Sequence, residues 1–152
     1  MPSDGWRLGE FGVRAALVAH RGSTLGYRVE QSGASLCYLP DHEPGLGTSL
    51  SSVPPSWISG LGLARGATTL IHDSQYTDEE YAYRRGWGHS SLSDTLAFAQ
   101  RSRPEGLLLF HHDPGHDDER LRSLAGQATE DAARLGIHSR VQVAREGTAF
   151  DL

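Results

Sequence analysis

Short apolar runs separated by glycine-containing and polar turns dominate the first half of the chain. A run of Val, Leu and Ala over residues 13–19 predicts a buried strand. Residues 25–30 and 35–39 predict two further strands, and the Gly33 turn between them is typical of a hairpin. A fourth apolar run, residues 67–72, predicts another short strand. The first half is therefore expected to be mostly sheet.

In the second half, apolar residues recur at helical spacing. Residues 90–100 predict a helix with a serine cap, and residues 117–135 predict a longer helix that ends at Gly136. Residues 107–110 predict a fully apolar strand between them, and residues 140–144 predict a last strand. Strands that alternate with helices predict an α/β architecture, a mixed sheet flanked by helices.

The composition divides the chain into three parts. Residues 1–12 form a polar N-terminal segment, residues 13–144 form the domain, and residues 145–152 form a C-terminal tail. Within the domain, residues 45–62 are rich in Ser, Gly and Pro and predict a loop with a short helical turn near Trp57.

Composition and charge narrow the function classes. The 152 residues suit one domain, and 14 basic against 19 acidic side chains give a net charge of −5, which disfavours binding to nucleic acid. The single cysteine, Cys37, excludes an internal disulfide. The apolar runs are too short for a membrane span and the N-terminus lacks the apolar core of a signal peptide, so we expect a soluble, cytoplasmic protein.

Histidine is enriched, with 8 in the chain, and the chemically interesting side chains follow predicted strands. His20, Asp41, Asp73 and His111 each come just after a strand, and His89 precedes a helix within a Gly-Trp-Gly-His-Ser segment. Strand ends are where α/β folds collect ligands and catalytic groups. Imidazole and carboxylate suit Zn²⁺, Mn²⁺ or Fe, so this recurring placement predicts a metal site.

Each of these residues also has a purely structural interpretation. A single histidine after a strand is more often a hydrogen-bonded, half-buried residue, and an aspartate such as Asp41 is common in turns. Residues 111–118 are open to two other interpretations, a solvated loop that caps the next helix or an adventitious metal-binding loop built on His112 and His116.

Three segments together carry a family resemblance. They are Ala-His-Arg-Gly-Ser-Thr-Leu-Gly-Tyr-Arg over residues 19–28, Leu-Pro-Asp-His-Glu-Pro over residues 39–44, and the stretch 70–114, which contains Leu-Ile-His-Asp, Gly-His-Ser-Ser and Leu-Leu-Phe-His-His-Asp-Pro. In order and spacing they resemble the metallo-β-lactamase-fold metallohydrolases, especially the phosphodiesterase and tRNA 3′-processing branch. The resemblance covers roughly residues 13–135.

The resemblance implies a site with two divalent metal ions. His20 would be a ligand of the first ion, Asp41 would bridge the two ions, and His111 would be a ligand of the second, with the adjacent His112 as the alternative. Zinc is the expected metal, with manganese or iron as alternatives.

The resemblance also implies a catalytic pair. His89 would donate a proton to the substrate or stabilise charge on it, and Asp73 would bond to His89 and fix its tautomer. An aspartate here replaces the glutamate of the tRNA-processing relatives.

The principal motif of this family, His-x-His-x-Asp-His, does not occur in the sequence. The resemblance therefore implies the second half of an αββα sandwich, in which one sheet face would be left uncovered and three ligands are too few for two metals. Three explanations compete: a fragment or a missed upstream start, pairing with a companion N-terminal half-chain or in a homodimer, and a degenerate remnant. We favour the first, because all five site residues are retained together.

The leading hypothesis is a hydrolase that uses metal-activated water on a phosphodiester or a similar small ester and is incomplete without an N-terminal half. A small substrate is favoured over tRNA, because the span from His20 to Asp41 holds only a hairpin and the chain is acidic. The alternative is a non-catalytic α/β half-domain that binds a partner chain through its exposed sheet face.

Overall fold

The computed structural model describes residues 4–150 as one seven-stranded sheet and four helices, three of which pack against the sheet. The strands are β1 (Asp4–Leu8), β2 (Phe11–Val18), β3 (Thr24–Gln31), β4 (Ala34–Leu39), β5 (Thr69–Asp73), β6 (Gly106–Phe110) and β7 (Arg140–Val143). The helices are α1 (Leu61–Ala64), α2 (Asp78–Tyr81), α3 (Leu92–Ser102) and α4 (Asp118–Arg134), and a 3-10 turn spans Pro55–Trp57. The predicted α/β architecture with a mixed sheet is confirmed.

The strands lie side by side in sequence order, and their directions bring four strand ends together. β1 to β4 pair antiparallel, whereas β4 to β7 pair parallel. Because β2 and β4 are both antiparallel to β3, strands β2, β4, β5 and β6 run in the same direction. Their carboxyl ends therefore meet at one edge of the sheet.

The helices cover one face of this sheet and form the core with it. Alternate strand residues on that face are Cys37, Leu39, Leu70, Leu107 and Leu109, all 0–1% exposed. Helices α1, α3 and α4 add Leu61, Leu63, Leu96, Phe98, Leu124 and Ala128 to the same cluster. Side chains that alternate along a strand point to opposite faces, so the pattern buries one face completely.

The opposite face of the sheet is left without a covering layer by residues 4–150. Strand register places five exposed large apolar side chains on it: Trp6, Leu8, Phe11, Leu17 and Leu25, which are 42–67% exposed. We call this set the open face. Exposed apolar surfaces of this kind are common at interaction sites, and this one agrees with the uncovered face expected from the sequence.

The predicted strands and the two long helices all correspond to elements of the structure. Ser91 caps α3 and Asp117 caps α4, each by accepting a backbone N–H with its side chain. Asp73 is the last residue of β5 instead of following it.

Three elements were not predicted: β1 and the short helices α1 and α2. β1 lies within the polar segment 1–12, and its apolar residues Trp6 and Leu8 stay exposed, so no buried run marks it. α2 depends on a capping box between Thr77 and Glu80.

The division of the chain into residues 1–12, 13–144 and 145–152 stays a prediction. Among the described residues, no helix has the length and apolarity needed to span a bilayer, and the cytoplasmic location stays a prediction.

Candidate active site

The five residues singled out from the sequence meet at the edge where β2, β4, β5 and β6 end. His20 and Asp41 each lie two residues past a strand, Asp73 closes β5, and His111 directly follows β6. His89 reaches the same edge from the loop that precedes α3. Residues far apart in sequence thus share one site because parallel strands end together.

Distances between side chains show how closely these residues approach one another. Asp41 Oδ1 lies 3.1 Å from His111 Nε2. The rings of His89 and His111 stack with centroids 4.8 Å apart, and His20 meets His89 edge-on, also at 4.8 Å. Two groups of three residues bring their possible metal-ligating atoms within 4.8 Å of one another. One group is His20, Asp41 and His89, and the other is Asp73, His89 and His111.

The buried Asp73 carboxylate is held by four hydrogen bonds at the centre of the site. The carboxylate is 0% exposed, and Oδ2 accepts hydrogen bonds from His89 Nδ1 at 2.7 Å and from the backbone N–H of His42 at 3.0 Å. Oδ1 accepts from the backbone N–H groups of Gln75 and Ser90 at 3.1 and 3.2 Å. Four donors satisfy this buried carboxylate, so it holds His89 in one orientation.

Asp73 also contributes to the raised pKa of His89. Burial alone would lower the pKa of His89, but the hydrogen bond and charge of Asp73, with the charges of Asp41 and Glu43, raise it above its ordinary value. Because Nδ1 donates to Asp73, Nε2 is the nitrogen left to exchange a proton with a ligand.

His20 and His111 have the features expected of metal ligands. His20 Nδ1 donates to the carbonyl of Gly88 at 2.8 Å, which leaves the Nε2 lone pair for a ligand. His111 lies in the left-handed region at φ 57°, a conformation that is strained for a residue with a side chain and is common at functional sites. With Asp41, these two imidazoles fit a divalent cation by their chemistry, but three donors fall short of two complete shells.

His112 takes a different position from its neighbour. It belongs to neither close group, and among residues 4–150 neither of its ring nitrogens has a hydrogen-bond partner. Burial, followed by the nearby His116, lowers the pKa of His112. His111 is therefore the histidine of this pair that contacts Asp41.

Three buried residues next to the site were missed by the sequence reasoning. His42 and His72 are 0% exposed; His42 Nδ1 donates to His72 Nε2 at 3.0 Å, and His72 Nδ1 donates to the carbonyl of Asp73 at 2.7 Å. Burial lowers the pKa of both and brings that of His72 to about 4, so both are neutral at pH 7 and serve as packing. The third is Glu43, fully buried; its only sequence signal is a place between two prolines, in Pro-Asp-His-Glu-Pro.

The chain is similar to known proteins in both sequence and structure. A family profile described as "Beta-lactamase superfamily domain" matches residues 7–112. A ribonuclease Z from Sulfurisphaera tokodaii is 36% identical over 58 residues, which are 38% of this chain and 19% of that protein. The structure resembles human tRNase Z, short form, with a TM-score of 0.62 and 21% identity, over 94% of this chain and 44% of that one. It also resembles a diphosphatase of the PhnP family, with a TM-score of 0.63 and 18% identity, over 100% and 48%.

Only part of each relative matches this chain. The chain spans less than half the length of these three proteins. The two structural likenesses, both under 25% identical, show the fold alone, and the seven-stranded mixed sheet with its helices is consistent with a metallo-β-lactamase fold.

Proposed function

Since the chain belongs to the beta-lactamase superfamily domain family, we propose that it forms part of a metal-dependent hydrolase acting on a phosphodiester or a similar small ester. The observation that carries this proposal is the convergence of His20, Asp41, Asp73, His89 and His111 at one sheet edge. Zinc is the proposed metal, with manganese or iron as alternatives and two ions in the complete site.

His20, Asp41 and His111 are the proposed ligands. A divalent metal bound there supplies Lewis acidity at the scissile group and lowers the pKa of a bound water. The chain contributes the orientation of the donors: the Gly88 carbonyl fixes the His20 ring, and His89 packs flat against the His111 ring. Ligands held in this way keep their geometry when substrate enters.

His89 is the proposed general acid, and Asp73 is its positioning residue. The Asp73 carboxylate holds the Nδ1 proton of His89, so the Nε2 proton is the one available to an oxygen of the leaving group. The raised pKa of His89 keeps a larger protonated fraction near neutral pH, as a general acid requires. After transfer, Asp73 still orients the neutral ring.

A small substrate is proposed in preference to RNA. The span between His20 and Asp41 is filled by the β3–β4 hairpin, which leaves no segment there for a substrate-gripping arm. The net charge of −5 also disfavours a polyanionic backbone.

The missing ligands are proposed to come from a second segment or chain that packs on the open face. The two structural relatives are more than twice as long as their parts that match this chain. A segment or chain about as long as this one is therefore proposed to cover the open face. The sheet face that carries the open face extends to the site. Tyr38 on β4 and Phe110 on β6 lie on that sheet face with β5 between them, their rings pack edge-on at 5.7 Å, and Phe110 directly precedes His111.

Metal binding and hydrolysis test the proposal. The chain would be mixed with a companion half carrying His-x-His-x-Asp-His, and zinc content and bis(p-nitrophenyl) phosphate hydrolysis measured for wild type and for a His20→Ala/Asp41→Ala/His111→Ala variant. Hydrolysis is expected for the wild-type mixture and for the control His138→Ala, a change at an exposed histidine outside the site, and not for the triple variant. Full activity in the triple variant would refute the site, and loss of zinc in His112→Ala/His116→Ala alone would favour the 111–118 loop instead.

The open face also favours a second candidate function, a non-catalytic module that binds a partner chain. Leu17 and Leu25 pair across β2 and β3 and are 54% and 42% exposed. A Leu17→Glu/Leu25→Glu variant should lose a companion or self-association measured by light scattering, whereas Leu135→Glu, at a residue 46% exposed beyond α4, should not. A metal-free complex that depends on the open face would support this second function over the hydrolase.

A further inference from the structure

Glu43 anchors the loop that carries Gly86 and Gly88. Its Oε1 accepts hydrogen bonds from the Tyr81 hydroxyl at 2.7 Å and from the Gly86 N–H at 2.8 Å, and its Oε2 accepts from the Gly88 N–H at 2.8 Å. The carboxylate is 0% exposed. A buried charge of this kind persists only where donors surround it, and here three donors do.

The same loop is the element that orients His20. Gly88 donates its N–H to Glu43 and accepts the His20 Nδ1–H with its carbonyl, so the two contacts are made by one residue. A Cβ at Gly88 would overlap His20 Nδ1 and lie 2.8 Å from the backbone nitrogen of Arg21, which shows how closely this loop packs on the His20 turn. His89, the proposed general acid, is the next residue along the chain.

We propose that Glu43 is a positioning residue that holds the 86–88 loop in place and so fixes the tautomer and ring orientation of His20. Through Gly88, it keeps the Nδ1 of His20 protonated and the Nε2 lone pair aimed at a metal ion. This inference rests on the proposed function in that His20 is taken as a ligand, but the contact itself exists in the chain without metal.

Glu43 is connected to the site by a second route. Its backbone N–H donates to the carbonyl of Ala19 at 2.9 Å, directly before His20. The residue therefore ties the β4 exit to both the β2 exit and the 86–88 loop. A glutamine cannot make the same contacts. Its amide has only one acceptor oxygen, and its –NH₂ group would face a hydrogen-bond donor, because all three partners of Glu43 donate.

The test measures histidine tautomers before it measures metal. Long-range ¹H–¹⁵N NMR of the metal-free chain reports which His20 nitrogen carries the proton, and competition with a chromophoric chelator reports zinc affinity. Glu43→Gln and Glu43→Asp would be compared with Glu80→Gln, a matched change at a part-buried glutamate that bonds Thr77 and His116 outside the loop.

We expect wild type and Glu80→Gln to show the Nδ1–H form of His20. Both Glu43 variants should show mixed tautomers and about a 10–100-fold loss of zinc affinity. A Glu43 variant that folds and keeps the wild-type His20 signal overturns the proposal, whatever its zinc affinity.

Hydrogen exchange of the wild-type chain tests the proposal even if both Glu43 variants fail to fold. The Gly86 and Gly88 amides should be protected from hydrogen exchange, and unprotected amides there would overturn the proposal. A chain that shows the expected tautomer but binds no zinc even when mixed with a companion half carrying His-x-His-x-Asp-His would instead refute the proposed function and leave the positioning role intact.

Discussion

Replacing Gly88 by alanine tests the packing of the site at its tightest point. Gly88 has φ 97°, a conformation that disfavours side chains, and its added Cβ would overlap His20 Nδ1. The His20 ring must then turn away, and the 2.8 Å hydrogen bond from its Nδ1 to the Gly88 carbonyl is lost.

The expected size of the effect separates into two parts. Backbone strain from a side chain at positive φ costs about 1–2 kcal/mol of folding free energy. Gly66→Ala, at φ 60° and with nothing within 4 Å of its Cβ, places a side chain at positive φ without steric overlap and serves as the control. Displacement of His20 occurs only in Gly88→Ala and should lower zinc affinity about 10–100-fold, or roughly 1.4–2.7 kcal/mol.

Two measurements distinguish these parts. Thermal unfolding of the metal-free chains should show a loss of stability for both variants, larger for Gly88→Ala because its Cβ also overlaps neighbouring atoms. Chelator competition should show weaker zinc binding for Gly88→Ala alone. Equal zinc affinity in folded Gly88→Ala and Gly66→Ala chains would refute the argument that the 86–88 loop positions His20.

Four further predictions follow from buried groups. Burial raises the pKa of Cys37 to about 12, so its thiol should react with iodoacetamide about 1,000-fold more slowly in the native chain than after denaturation; equal rates would contradict this. Asp73→Asn should lower the pKa of His89 in an NMR titration of the metal-free chain, because the charge that raises it is removed; an unchanged pKa would contradict the pairing. Arg28→Met should destabilise the fold by roughly 3 kcal/mol in urea unfolding, since this 8% exposed arginine donates to two carbonyls in and beside α1. Phe98→Ala should cost about 3–5 kcal/mol in the same assay, because it empties a fully buried position; a loss below 1 kcal/mol in either variant would count against that residue's role.

Local patterns were enough to predict most elements of the sheet and its two long helices. The strand at residues 35–39 and the helix at residues 117–135 are strongly patterned, because their apolar residues follow the period of two or of three to four that a single buried face imposes. β1 was not predicted because it lacks such a pattern. Its apolar residues Trp6 and Leu8 lie on the open face and are not flanked by a run of buried residues.

The sequence by itself determined which residues could carry chemistry: His20, Asp41, Asp73 and His111 stand at or just after strand ends, and a strand end is a local property. Only the tertiary structure decided that these ends meet at one edge, because that depends on β2 and β4 both running antiparallel to β3. The structure alone also revealed the anchoring contacts of Glu43, whose partners lie 38–45 positions away. Contacts of that sequence separation leave no periodic pattern, because they arise only when the chain folds and a buried carboxylate must find its donors.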